Sequence, residues 1–378
     1  MKILIAPDKF KGICTAQEAA ENFRNNLQKL LPQAQLRLVP IADGGEGTLI
    51  SIIYLLQGKI QTVFVHDPLM REKEAQWGWA QLPEKDTAIL EMSQASGLFR
   101  LTPQEYDPMS TTSYGTGELV LEALRHEAKH IKIAMGGSAT VDGGIGFLQA
   151  LGVIFKSKIP LPPSGISAKH LLSITSVDLE PALHKLKGMG LTGWVDVQVP
   201  LLGDHGAARF FGPAKGATPE MVEVLEKSLF HFDNILSNAS GQLLKNNPGA
   251  GAAGGLGMAV LALGGKLEKG FDFVSQTLKL EENMRGCDLV ITGEGKLDDT
   301  SREGKAPVAV ARLAKKMGIK CLGIVGCNQA SPAWLTEEGF TKVYALYDAP
   351  FEAEDPKKFE FSKRLTDTLG QIFPKKPA

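Results

Sequence analysis

Ile3-Leu4-Ile5-Ala6, followed by Pro7 and then Asp8-Lys9-Phe10-Lys11-Gly12, opens the chain with an apolar run that breaks into a polar loop ending in glycine. Four consecutive apolar residues bounded by breakers are the pattern of a strand covered on both faces. Thr15 with Glu18 three places later spells a capping box, and Ala19, Ala20, Phe23, Leu27, Leu30 and Leu31 then share one helical face that ends before Pro32. A second strand, Leu36-Arg37-Leu38-Val39, leads through Ala42-Asp43-Gly44-Gly45-Glu46-Gly47 into an apolar helix from Thr48 to Gly58. The last hundred residues repeat this grammar: a strand over 288–292, a polar loop, a helix over 306–317 stopped by Gly318, strands over 321–325 and 343–346, and a final helix. Such alternation predicts a mostly parallel sheet with helices on both faces.

The middle of the chain reads differently. Short β-like stretches at 62–66, 75–80 and 88–92 suit antiparallel pairing, and Pro160, Pro162, Pro163 and Gly165 mark a surface loop. A length of 378 residues suggests about two domains. The expected fold is α/β: residues 1–60 plus 285–378 form one doubly wound lobe, and 61–284 form an inserted α/β lobe with a mixed sheet. The strand over 131–135 fits either lobe.

Composition removes several classes of function. Forty-one basic residues against 42 acidic ones give a net charge of −1, with no overall bias toward nucleic acid or an anionic membrane. No apolar run approaches the roughly 18 residues of a membrane span, and Met1 to Pro7 is too short for a signal peptide, so a cytoplasmic location is the default expectation. Cys14, Cys287, Cys321 and Cys327 form no Cys-x-x-Cys pair and read as reduced packing residues. His126-Glu127-Ala128-Lys129-His130 spells H-E-x-x-H, yet the helix before it turns its apolar face elsewhere and a strand begins at once, so a zinc protease is not expected. The sequence has no G-x-x-x-x-G-K-[ST], which excludes a P-loop.

Glycine beside acidic residues carries the chemistry. In open α/β sheets ligands sit beyond the carboxyl ends of strands, where loops enter helix N-termini. In the loop Ala42 to Thr48, Gly44 and Gly45 permit close backbone approach, and Asp43 and Glu46 are candidate Mg²⁺ ligands; a plain glycine turn with a capping carboxylate is the alternative. Gly136 to Gly144 surrounds Ser138, Thr140 and Asp142 with two glycine pairs, a backbone nest for phosphate or carboxylate oxygens. Gly249 to Gly257 matches the letters of a dinucleotide fingerprint, but Lys245-Asn246-Asn247-Pro248 precedes it where a strand is required; a helix N-terminus facing an anion is the better reading. Thr292 to Asp299 places Glu294 and Asp298 after a strand, with Lys305 before the next helix, a set that supplies metal ligands and a cation for a polyphosphate. Asp8 and Lys11 add a carboxylate and an ammonium after the first strand.

Taken in order, these segments resemble the bacterial glycerate kinase family, whose members begin with a strand and an A-P-D-x-F-K motif. The likeness runs through Ala6 to Lys11, Ala42 to Thr48, Thr111 to Leu119, Gly137 to Thr140, Asp142 to Gly144, Phe211 to Pro219, Gly251 to Gly257 and Val290 to Gly295. The resemblance implies ATP-dependent phosphorylation of D-glycerate, commonly to 2-phosphoglycerate, on a flavodoxin-like lobe carrying a second α/β lobe. It also implies Mg²⁺, small-molecule partners and no nucleic acid or membrane partner, with a homodimer left open. With residue type and matched motif combined, Mg²⁺-triphosphate is expected at Gly137, Ser138, Asp142, Gly254, Gly255, Glu294 and Asp298. Asp43 or Asp196 is the expected base, and Lys11, Lys215 and Lys305 are candidates for the glycerate carboxylate and the transferred phosphate. Tyr106, Val141, Gln198 and Val199 depart from the family pattern, which leaves a weakened glycerate-binding homologue, or a kinase for another short hydroxy acid, as alternatives.

Overall fold

The structure, a computed structural model, describes residues 1–10, 12–41, 48–82, 86–195, 199–298, 301, 305–349 and 360–374. Lys11, Asp43, Gly44, Gly45, Glu46, Asp196 and Gln198, singled out above, lie outside the described residues. The chain divides into two compact units, Met1–Asp43 with Phe271–Ala378, and Gly44–Gly270.

The first unit holds five parallel strands in the spatial order Lys342–Ala345, Lys320–Val325, Leu289–Gly293, Lys2–Pro7, Gln35–Leu38. Numbered along the unit, that order is the 2-1-3-4-5 arrangement of a flavodoxin-like sheet. The strand pleat sends alternate residues to opposite faces. Ile3, Ile5, Leu289, Ile291 and Ile324 thus share a core with Phe23 and Leu27 of the helix Ala16–Leu30 and with Phe361, Leu365 and Leu369 of the helix Phe361–Ile372. Leu4 and Val290 are fully buried on the other side, where the helix Ala306–Lys316 packs. The capping box forms as the spacing predicts: Glu18 N donates to Thr15 Oγ1 at 3.2 Å, and Thr15 N donates to the Glu18 carboxylate at 2.9 Å.

The second unit is built on a mixed six-stranded sheet in the order Lys266–Glu268, Gly190–Trp194, His130–Ala134, Thr87–Glu91, Glu72–Ala80, Lys59–His66. The first four strands run parallel and the last two antiparallel. Thr87–Glu91 is therefore a junction, antiparallel to one neighbour and parallel to the other, and the strand at 130–134 belongs to this sheet. The helix Thr48–Leu55, read from sequence as part of the first lobe, packs on the antiparallel strands instead. Gly78 makes room for it, since a methyl group there would lie 2.3 Å from the Ile53 side chain. Sequence placed the unit boundaries near 60 and 285; in the structure they fall after 43 and 270.

The H-E-x-x-H segment is not a helical metal site. The helix Tyr114–Arg125 stops before it, Glu127 turns to φ 60°, His130 starts a strand, and the His126 ring meets Trp77 edge-on at 5.1 Å. All four cysteines are free thiols, and burial pushes the Cys14 thiol up to about 12. Among the described residues no helix is long and apolar enough to cross a membrane. Replacing Thr15 with Ala should lower stability by about 1 kcal/mol, seen as a lower urea midpoint at unchanged slope.

Candidate functional site

In the first unit, the strands Gln35–Leu38 and Leu289–Gly293 flank Lys2–Pro7 on opposite sides, so strand order reverses beside the carboxyl end of Lys2–Pro7. Open α/β sheets bind ligands at that switch point. Asp8 and Glu294 are the first residues beyond the two paired strand ends, and both are nearly buried. Asp8 N donates to Gly293 O at 2.8 Å, and the Asp8 carboxylate accepts from Lys9 N at 2.6 Å. Gly293 is glycine because a methyl group there would sit 1.8 Å from Ile324 O. The backbone past Glu294 is pinned by Gly326 N donating to Glu294 O at 2.8 Å and Cys327 N to Gly295 O at 3.0 Å. Lys305 Nζ lies 3.9 Å from Glu294 Oε2 and 3.8 Å from Asp298 Oδ1, while Lys296 Nζ approaches Asp298 Oδ2 at 2.9 Å. The structure thus brings Asp8, Glu294, Asp298 and Lys305 to one sheet edge and adds Lys296, which sequence reading did not select.

In the second unit, the loops leaving the parallel strands Thr87–Glu91 and His130–Ala134 meet. Leu98 N donates to Gly137 O and Ala139 N to Ser96 O, both at 2.9 Å. The Gly136 to Gly144 loop is then locked to the second glycine loop, with Gly143 N donating to Gly254 O at 2.9 Å. Ala253, Gly254 and Gly255 all adopt the left-handed region, at φ 55°, 69° and 97°. A methyl group on Gly254 would fall 2.0 Å from Thr140 O, and one on Gly255 would fall 2.7 Å from Gly143 Cα. The helix Ala252–Ala262 opens with a left-handed turn at Ala253, Gly254 and Gly255 pressed against its neighbour loop.

Asp142 is fully buried, and its carboxylate accepts from Ser113 N at 2.8 Å, Ser113 Oγ at 2.7 Å, Gly144 N at 3.0 Å and Gly146 N at 3.4 Å. Burial pushes the carboxyl above its ordinary range, and those hydrogen bonds oppose the shift. With this many internal donors, Asp142 acts as the bolt of the loop. Lys215 belongs to a tight turn, Pro213–Lys215, whose following Gly216 has φ 94° and would bring a methyl group 2.3 Å from Tyr106 O. Its Nζ donates to Ser138 Oγ at 2.8 Å and to Thr140 O at 2.7 Å. Burial draws the Lys215 ammonium down to about 7, against the opposing field of Asp142. Gly137, Ser138, Asp142, Lys215, Gly254 and Gly255 therefore form one connected assembly.

Sequence reading missed Glu91. Its carboxylate is fully buried at the end of its strand, where Oε1 accepts from Ser93 Oγ at 2.5 Å and Oε2 from Leu49 N at 3.2 Å. The available signal was an acidic residue closing an apolar strand. Ser113 was also passed over, because a serine before a helix looks like an ordinary cap. Of the departures from the family pattern, Val141 is fully buried in the core, and Val199 is buried with its carbonyl accepting from Gly251 N at 3.1 Å.

A doubly wound sheet with carboxylates and lysines at its switch point defines an α/β protein suited to anionic small ligands. A sequence model described as the glycerate kinase family matches residues 3–374. The chain is 40% identical over 347 residues to a glycerate 2-kinase of Escherichia coli strain K12, covering 92% of this chain and 90% of that one. It is 38% identical over 358 residues to a glycerate kinase of Bacillus subtilis strain 168, covering 94% and 92%. A crystal structure of a protein described as glycerate kinase 2 from Salmonella typhimurium LT2 superposes with a TM-score of 0.79 at 34% identity, covering 98% and 97%. The chain belongs to the glycerate kinase family, and it is a kinase by that membership.

Gly254→Ala should cost about 1–3 kcal/mol from left-handed strain alone, and more from the clash with Thr140 O; thermal unfolding reads it. Asp142→Ala should cost about 3 kcal/mol or more by stranding the buried Ser113 donors, whereas Ser113→Ala should cost less.

Proposed function

We propose that this protein transfers the γ-phosphoryl group of ATP to a hydroxyl of D-glycerate, giving 2-phosphoglycerate. Family membership supports the kinase class, and the relative named glycerate 2-kinase supports the position of attack. The observation that carries the reading is Lys305 lying between Glu294 and Asp298 at the switch point, with Asp8 beside Glu294 in the paired strand ends. Phosphoryl transfer asks mainly for positioning and neutralisation of charge, which carboxylates holding a cation and an adjacent lysine provide.

Mg²⁺ fits this donor set in one way. Among the described residues no three His, Cys, Asp or Glu groups lie close enough to hold a metal by themselves. Mg²⁺ commonly takes only one or two carboxylates and completes its shell with phosphate oxygens and water. Glu294 and Asp298, both within 4 Å of one ammonium, suit that partial role. The ion, when bound, neutralises charge on the phosphates. Lys305 then offsets the repulsion between the two carboxylates and offers its ammonium to the phosphoryl group. Within the second unit, the glycine loops and Lys215 offer donors to the oxygens of an anionic ligand. Asp43 or Asp196 takes the proton of the attacking hydroxyl, with Glu46 a further metal ligand and Lys11 a further cation.

A coupled ADP-release assay with D-glycerate, tartronate and other short hydroxy acids tests the reading, and phosphorus NMR separates 2- from 3-phosphoglycerate. Turnover of D-glycerate above the other acids is expected; preference for another acid, or binding without ADP release, would overturn it. Glu294→Gln should lower kcat by about two orders of magnitude, and Asp43→Asn or Asp196→Asn by a similar factor for whichever is the base.

A further inference from the structure

We propose that Lys215, Ser138 and Thr140 form the subsite for the carboxylate of the hydroxy acid, and that Lys215 gains a proton when that carboxylate arrives. The proposal rests on the glycerate reading and deepens it, by choosing one lysine and one substrate group.

Two hydrogen-bond inventories carry it. Lys215 Nζ makes two hydrogen bonds, to Ser138 Oγ at 2.8 Å and to Thr140 O at 2.7 Å. A neutral amine satisfies both with its two protons, and an ammonium has a third left over. Thr140 adds a second unused donor, since its Oγ1 is buried and has no hydrogen-bond partner. Buried hydroxyls without partners are rare in folded proteins and call for an explanation. One cationic and one neutral donor, on two loops joined by the hydrogen bond from Lys215 Nζ to Thr140 O, match the two oxygens of a carboxylate. Ser138 and Lys215 keep 9% and 6% relative exposure while Thr140 is fully buried behind them, so an arriving ion meets the serine and lysine first and the threonine hydroxyl last.

The charge environment agrees. Among the described residues the one charged group acting on Lys215 is Asp142, and its carboxylate is already engaged by Ser113, Gly144 and Gly146. Burial dominates and brings the ammonium down to about 7. Above that pH the free enzyme holds mostly neutral Lys215, and an incoming carboxylate favours the charged form. Glycerate binding at pH 8 thus draws in a proton, and affinity falls by up to about tenfold for each pH unit above 7.

Steady-state kinetics and calorimetry on the whole chain test this, with D-glycerate and the uncharged glyceramide as probes. Lys215→Met should raise the KM for D-glycerate by about 10- to 100-fold, the worth of a hydrogen bond to a charged group. Thr140→Val should raise it about fivefold to tenfold without lowering the melting temperature, because the hydroxyl it removes has no partner. In both variants the KM for D-glycerate should rise further than the KM for ATP and further than the KM for the uncharged glyceramide, because only D-glycerate presents the carboxylate. Calorimetry at pH 8 in buffers of different ionisation enthalpy should show proton uptake that Lys215→Met abolishes. An unchanged KM for D-glycerate in Thr140→Val, a raised KM for ATP in its place, or no proton uptake overturns the subsite. If Lys215→Met does not fold, Thr140→Val and the proton count on the wild type carry the test. A wild type that binds glycerate without phosphorylating it overturns the kinase reading and leaves the subsite standing; one that binds no glycerate overturns both.

Discussion

No methyl group fits between Gly254 and the carbonyl of Thr140, and the second unit's loops are arranged around that close approach. Backbones approach so tightly only where side chains are missing and where φ is free to turn positive. Three successive left-handed residues deliver Gly254 to that point, and Gly143 answers with a hydrogen bond to its carbonyl. Once the two loops are interlocked, the Asp142 carboxylate gathers Ser113, Gly144 and Gly146 about itself and fixes the direction in which residues 138–140 face. Lys215 then finds Ser138 and Thr140 at hydrogen-bond distance. Each step depends on the one before it, so a single added methyl group propagates to the lysine.

The two units carry different sets of polar groups. At the edge of the first sheet, the carboxylates of Glu294 and Asp298 are interleaved with the ammoniums of Lys296 and Lys305. Among the loops of the second unit the Thr140 hydroxyl is an unspent donor, and the Asp142 carboxylate is consumed internally.

Much of this was legible in the chain. The run Ile3 to Ala6 had to be a doubly covered strand, and Thr15 with Glu18 announced a helix start, because both signals are local. The helix Thr48–Leu55 was legible as a helix but not as a partner of the second sheet, since its apolar face specifies burial and not the surface that buries it. The same limit applied at the site. Asp142 and Glu294 look alike in sequence, each an acid among glycines, yet one is spent on four internal donors and the other stands at a sheet edge beside Lys305. Glu91 closes an apolar strand, a signal that marks an acid at a strand end but not that Leu49 N and Ser93 Oγ donate to it in the core.

Val141 shows why departures from a family pattern weigh unequally. A valine between Thr140 and Asp142 reads as the loss of a polar group from a ligand loop. In the fold its side chain enters the core, and the loop's polar work falls to the backbone, Ser138, Thr140 and Asp142. An apolar residue at that place gains burial free energy without removing a donor from the lysine's surroundings. Tyr106 bears on the site differently, through its carbonyl, which leaves Gly216 no room for a side chain and so holds the turn that carries Lys215. Its ring chemistry is secondary to that constraint, and any residue able to keep the same backbone path would hold the lysine in place.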